Sequence, residues 1–575
     1  MDYKYGQPFV FSSYFRLMFL VRTLYRQWYL IVFLTMLSPA ILIAQQYTPD
    51  RFFVQFSDKQ QTVYDIQKPE DFLSLRALER RERMNISVDE RDLPVSPHYL
   101  DSLTNIGAEI HGVTKWLNGA VIAMDSMPLL SSIAALPFVR SVDIVRYQQK
   151  DSFGGNKKEG HAIAVNKKVG SNDFDEAYGF SENQIALMNL HHLHSDGYQG
   201  EGIMVAVLDA GFSYVDQMVS LRHLIQSNRL VATRDFVDGD YDVYHGSTHG
   251  MAVLSIMAAH IPETYIGAAT KASYLLLRTE DVASEYPIEE LNWAAAAEYA
   301  DSLGADLINS SLGYSSFDHA SLSYQRHDLD GNTAYSTIAA DIAASRGMLV
   351  VNSAGNEGNS SWQYISAPAD GDSVLTAAAV DQKGIYASFS SKGPAADGDQ
   401  KPNVAAVGKN TFFVNGSDQV LAGNGTSFSA PLLSAACASL WSAFPEISHM
   451  DLKDAVERSS SRFQNPDTLT GYGIPDFQMA AILLQHQQQK QQQALSVLPN
   501  PFHDKLYLFF DIQTGSDARF ELYDIRGRLI QRLKPRSSGD GSLFIFSGLD
   551  KLNQGTYILR VSSSAISQSV KVVKI

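Results

Sequence analysis

The chain has 575 residues, more than the roughly 100–200 of one domain, with 45% hydrophobic and 19% charged residues, so it reads as several folded units and not as a disordered or fibrous protein. A net charge of −16 and a pI near 5.4 argue against a nucleic-acid binder, which needs a basic surface to displace phosphate counterions. The single cysteine, Cys437, excludes an intrachain disulfide and a thiolate metal cage.

At the N-terminus, Arg22 and Arg26 precede an apolar run over 28–44, broken at Ser38-Pro39 and followed by the polar Gln45-Gln46-Tyr47. This is a signal-peptide profile over residues 1–46, with cleavage expected after about Ala44; the run is short for a bilayer span, and Met18 offers a second start. Residues 47–165 are expected to be an α+β prodomain with a processing linker. Short apolar strands at 52–56, 120–123 and 142–145 alternate with a helical Arg/Glu-rich stretch at 74–83, and a polar, Gly- and Lys-rich stretch at 148–175 suits an exposed linker.

From 180 to 484 the pattern is that of a single α/β unit. Strand-like runs at 203–208, 272–277, 305–308, 348–352 and 374–380 alternate with helices, most clearly at 287–303 and 336–346, stopped by Gly304 and Gly347. Such alternation predicts a doubly wound, mainly parallel sheet with helices on both faces and chemistry at the carboxyl ends of its strands. A glutamine-rich tract, assigned to a linker at 485–494, also has helix-compatible composition. Beyond it, at 495–575, short strands at 506–512, 519–524, 528–533, 542–546, 556–561 and 570–575 predict a C-terminal β-sandwich, with Arg526-Gly527 as a turn.

Three segments place reactive side chains at element boundaries: VAVLDAGF around Asp209, THGMAVLSIMAA from Thr248, and GNGTSFSAP around Ser427. Asp209 ends a strand, while His249 and Ser427 stand ahead of apolar-periodic helices expected at 251–259 and 430–444. A serine hydroxyl needs an adjacent base to attack a carbonyl, and that base needs a carboxylate to fix its tautomer. Each motif alone has a bland reading, as a turn residue or a helix cap. Four motifs in order, the fourth being NSAGNEG at the end of a strand, make coincidence a poor account.

These segments resemble those of the subtilase family of serine peptidases, over about residues 184–481, with the family's Asp, His, Ser order. The His box departs from the family's HGTHVAG pattern, and His245 also precedes a glycine; His249 is preferred because it keeps the family's distance to Ala258-Ala259. The resemblance implies a catalytic Asp209, His249 and Ser427, with Asn356 and the Ser427 amide as oxyanion donors. It also implies that Ser311-Leu312-Gly313 and Ser353-Ala354-Gly355 flank an extended peptide substrate, and that Ala367-Pro368 stands where the family has a cis bond. The N-terminal unit looks like the family's prodomain, an intramolecular inhibitor cut between about Tyr147 and Asn183. The C-terminal unit resembles a type IX secretion sorting domain through Leu498-Pro499-Asn500-Pro501-Phe502, Leu522-Tyr523-Asp524, Gly555-Thr556-Tyr557 and the basic-apolar end 571–575.

The expectation is therefore a secreted or cell-surface serine endopeptidase, exported through the periplasm, acting on proteins or peptides, engaging the type IX machinery, and needing no metal or other cofactor. Structural calcium is unsupported: Asp328-Leu329-Asp330-Gly331-Asn332 reads as a solvent turn because its glycine comes too early for a calcium loop. His191, His192 and His194 read as a surface cluster, and Cys437 as a buried small hydrophobe. The competing function is a catalytically inactive subtilase fold used as an adhesin or binding protein.

Overall fold

The computed structural model describes residues 48–124, 127–148, 163–164, 178–489, 495–510, 519–533, 536–537, 543–562 and 567–575; the signal-peptide segment and nearly all of the 148–175 linker lie outside them. Among the described residues, no helix is long and apolar enough to cross a membrane. Residues 51–146 and 154–575 cluster into one compact unit.

Its centre is a seven-stranded, wholly parallel sheet. In spatial order the strands are Val404–Val407, Leu375–Val380, Leu349–Ser353, Leu307–Ser310, Met204–Asp209, Ser273–Arg278 and Leu230–Asp235. Met204–Asp209 is buried at every residue because both faces of the sheet are covered there, and its successive side chains enter opposite cores, whereas the edge strand Leu230–Asp235 is half-exposed. Val205 and Val207 point into the core containing the helices His249–Ala258 and Thr426–Ala443, whereas Met204, Ala206 and Leu208 point into the one containing Ile288–Leu303 and Tyr335–Ser345. The chain order of the strands reverses between Met204–Asp209 and Leu307–Ser310, which are adjacent. That switch point opens a crevice at the carboxyl ends of the two strands.

The N-terminal unit is a four-stranded sheet with helices Pro97–Ile106 and Met127–Ala134. Phe52, Val54, Phe56, Leu103 and Ile122 form its own core, while Phe53, Val121 and Val145, on the opposite face, join the core beneath Ile288–Leu303. Charge fastens this contact. Arg80 and Arg81 of the helix Leu75–Arg83 are 1–2% exposed and both bond Asp301, Arg81 also pairs with Asp92, and Arg76 bonds Asp306. Glu298 accepts bonds from Thr114 and from the Lys115 and Trp116 amides.

The C-terminal unit consists of two four-stranded sheets enclosing Phe502, Leu508, Phe520, Leu522, Leu559 and Val572. Its first strand, Leu495–Leu498, has no counterpart in the sequence reading. Gln485 to Gln489 are helical, as the last turns of Phe477–Gln489, and Ile482 of that helix packs with Leu498, Tyr507 and Phe509. The histidine cluster is a surface feature only in part: His191 and His192 are half-buried, whereas His194 is 3% exposed, held between the Tyr178 hydroxyl and the Ala268 carbonyl, and burial lowers its pKa to about 4. Cys437 is fully buried, and burial pushes its thiol pKa up. The 328–332 segment is a turn anchored by the fully buried Leu329 and by a bond from the Gly331 amide to Asp370.

Candidate active site

Asp209 ends its strand fully buried, with Oδ1 accepting the Ala210 amide. His249 Nδ1 lies 2.8 Å from Asp209 Oδ1 and 3.0 Å from Oδ2. The approach requires two glycines. A Cβ on Gly250 would lie 2.5 Å from the Gly211 carbonyl oxygen, and one on Gly211, at φ +138°, would lie 2.1 Å from that of His245. The helix begins at His249 itself, two residues earlier than periodicity suggests, and Ser247 Oγ accepts the His249 amide. His245 lies elsewhere, 3.6 Å from Asp235, which Arg278 bonds together with Asp238.

Ser427 sits in the first turn of Thr426–Ala443, a helix starting four residues before the predicted one. Pro431 lies inside this helix and has no N–H to give the Ser427 carbonyl four residues back. Ser311 Oγ fills that vacancy at 3.0 Å, and the Ser427 hydroxyl in turn donates to the Ser311 carbonyl at 3.3 Å. The nucleophile candidate on one helix is thus bolted to the end of the strand Leu307–Ser310, at the switch point.

Asn356 is oriented by Thr426. Its Oδ1 accepts both the Thr426 amide, at 2.9 Å, and the Thr426 hydroxyl, at 3.1 Å, so the amide must present its NH₂ end away from Thr426. Thr426 Oγ1 also accepts the Gly355 amide. The two flanking edges are tied to each other: Asn352 Nδ2 and Ser353 Oγ donate to the Leu312 carbonyl. Gly313 packs where a Cβ would meet Ser366 Oγ at 2.2 Å, Ala354 is fully buried, and the Ala367–Pro368 bond is cis.

Asp209 and His249 are in direct contact, while Ser427 and Asn356 are held by groups not foreseen from the sequence: Thr426, Pro431 and the Ser311 hydroxyl. A threonine before the serine and a proline four after it were the visible signals. Among the described residues, Asp235, Asp238 and His245 could together hold a metal ion, but Arg278 already bonds both aspartates; a second group is Glu280, Glu285 and Glu289.

Residues 200–473 match the subtilase family, residues 51–161 the peptidase S8 propeptide domain of Bacteroidota, and residues 496–575 the secretion system C-terminal sorting domain. A subtilisin of Bacillus pumilus is 30% identical over 292 residues, covering 50% of this chain and 94% of its own. Subtilisin E of Bacillus subtilis is 29% identical over 293 residues, covering 50% and 68%. Among solved structures, fervidolysin from Fervidobacterium pennivorans shares the fold, with a TM-score of 0.51 and 16% identity, covering 93% of this chain and 77% of that one. The type IX sorting domain marks the chain for export, to the medium or the cell surface. On these matches the chain belongs to the subtilase family and is a serine endopeptidase carrying its own propeptide domain.

Proposed function

We propose that this endopeptidase works through Ser427 as nucleophile, His249 as general base and then acid, and Asp209 as the carboxylate that fixes the His249 tautomer and stabilises its charge. The observation that carries the reading is the 2.8 Å bond between His249 Nδ1 and a fully buried Asp209, at the switch point where Ser427 opens a helix. That bond leaves Nε2 to take the Ser427 proton as Oγ attacks the scissile carbonyl. The Asn356 NH₂ and the Ser427 amide would receive the oxyanion, and an unpaired amide at a helix N-terminus adds a favourable field. Collapse of the tetrahedral intermediate expels the amine, protonated by His249, and water then releases the acyl-enzyme.

The substrate is an extended peptide strand between 311–313 and 353–355, bound mainly through its main chain. The propeptide unit at 47–165 acts as an intramolecular inhibitor, removed by cleavage before the catalytic unit at 180–484. The unit at 495–575 engages the type IX machinery after export directed by a signal peptide at 1–46. Purified wild-type precursor should mature unaided, whereas Ser427→Ala should stay uncut; self-processing by the variant in a protease-free preparation would refute autocleavage.

A further inference from the structure

Lys401 is fully buried, and neutral oxygens hold its ammonium. Nζ donates to the carbonyls of Gly371 and Val374, at 2.6 and 2.8 Å, and to Asn403 Oδ1 at 3.3 Å, so its three hydrogens have three acceptors. Among the described residues its one ion pair is with Asp399 Oδ2, 3.8 Å away on a side chain 42% exposed. Burial lowers the lysine pKa to about 8, and the charge of Lys453 adds to this, against Asp399, Asp341 and Glu457; at neutral pH the group is still a cation. A charge placed there costs more than an apolar side chain of the same volume, so filling space does not account for it. What the amine adds is direction: donors aimed at two backbone carbonyls.

Those carbonyls belong to the segment 366–374, a run of turns with no helix or strand of its own. The Ala369 amide bonds the Ser366 carbonyl, that of Gly371 the Pro368 carbonyl, and that of Val374 the Gly371 carbonyl. Two ties hold the far end of the segment. Asp370 accepts the Thr337 hydroxyl and Asp341 accepts the Ser373 amide, which fastens it to the helix Tyr335–Ser345, and Lys401 fastens it to the stretch before the strand Val404–Val407. The near end meets both edges that flank the substrate. Ala367 and Tyr314 exchange backbone bonds of 3.0 and 2.8 Å, next to Gly313. The Ser366 hydroxyl stands between the edges: a Cβ on Gly313 would lie 2.2 Å from it, and one on Gly355 would lie 3.1 Å from it. Any shift of Ser366 is therefore felt by 311–313 or by 353–355.

We propose that Lys401 is a positioning residue for substrate binding: by gripping the Gly371 and Val374 carbonyls it fixes the segment 366–374, and through Ser366 and Ala367 it sets the spacing of the two edges between which the peptide lies. The inference rests on the reading of 311–313 and 353–355 as those edges. Lys401 touches no reacting group and acts only through the segment it holds.

The test compares Lys401→Met with wild type, both as self-processed enzyme, on two p-nitroanilides: a tetrapeptide, which lies along the edges, and its last residue alone with an acetyl group, which has little chain to lay there. Per active site titrated with a fluorophosphonate, the variant should show a tetrapeptide KM raised about tenfold with kcat within about threefold, and both constants for the acetyl residue within about threefold. A lysine that served stability alone would lower the titratable fraction and leave KM as it is, so a tetrapeptide KM within about twofold of wild type would overturn the inference. Should Lys401→Met not mature, the same change is read by hydrogen exchange in uncut Ser427→Ala precursor. Exchange about tenfold faster or more, confined to 311–314 and 366–374, supports the inference; exchange that is unchanged, or faster throughout the sheet as in an unfolded chain, overturns it. A wild type that cleaves the two nitroanilides with equal kcat/KM would overturn the reading of the edges and the inference with it, and no turnover of either would overturn the reading of the active site.

Discussion

Replacing Asp301 by alanine should loosen the propeptide unit more than any single apolar truncation at the same contact. Asp301 is fully buried, and its carboxylate answers two guanidinium groups, Arg80 and Arg81, which are themselves 1–2% exposed, with the Lys115 ammonium 3.7 Å away. Without it, Arg80 keeps the Ala305 carbonyl and Arg81 keeps Asp92, but two buried cations lose their shared counter-charge. Breaking a buried pair from one side costs about 3–5 kcal/mol, or roughly a hundredfold to a few thousandfold in an equilibrium. The readout is hydrogen exchange of the Leu75–Arg83 helix in uncut Ser427→Ala precursor, where Asp301→Ala should speed exchange by that factor. An exposed pair in the same molecule supplies the contrast: Asp454→Ala, which removes the partner of Arg458, should change stability by no more than about 0.5 kcal/mol. Adding Arg80→Met to Asp301→Ala should restore part of the loss, since Arg80 is the guanidinium left without a bonded carboxylate and the penalty is that of unpaired charge. Equal exchange in Asp301→Ala and the parent would refute the reasoning.

Three further outcomes follow from other parts of the structure. Thr426→Val removes the hydroxyl that joins Asn356 to Gly355 and should lower kcat about tenfold or more with little change in KM, because the misplaced donor acts on the transition state; an equal loss in both parameters would contradict this. Burial holds the Glu290 carboxyl pKa up at about 7, against bonds from Tyr324 and Ser336 that pull it down. Its ordinary value is 4.5, so the unfolded chain ionises first: stability is undiminished below about pH 4.5, declines through the interval to pH 7, and is flat above, by up to ~3 kcal/mol from this group. Glu290→Gln in the Ser427→Ala background should remove that slope in urea-unfolding midpoints, and an unchanged slope would refute it. Deleting residues 495–575 should leave the enzyme in the periplasm, detected by fractionation, whereas undiminished export would count against the sorting role.

How far the sequence could be read depended on the range of the interactions involved. Runs such as VAVLD announce a strand buried on both faces, and the aspartate at its end needs no knowledge of distant residues. The helix holding Ser427 begins earlier than its apolar periodicity because Thr426 and Ser427 turn toward the site and not into the core, so that turn carries no period. The Arg/Glu-rich stretch at 74–83 is recognisable as a helix, yet nothing local says that Arg80 and Arg81 are buried, since Asp301 lies more than two hundred residues away in the chain. His194 misleads for the same reason: the Ala268 carbonyl that makes its burial tolerable is 74 residues distant. The strand Leu495–Leu498 is too short to show alternation and adjoins the glutamine tract.

The central claim is that Ser427 is the residue that becomes acylated, and covalent labelling tests it most directly. Self-processed enzyme treated with a fluorophosphonate should take up one label per molecule, mapped by mass spectrometry to the peptide containing Ser427. Asp209→Asn, which leaves His249 without its orienting carboxylate, should slow that labelling by orders of magnitude. A processed wild-type enzyme that takes no label, or takes it on another serine, would contradict the account and favour a binding protein built on the same fold.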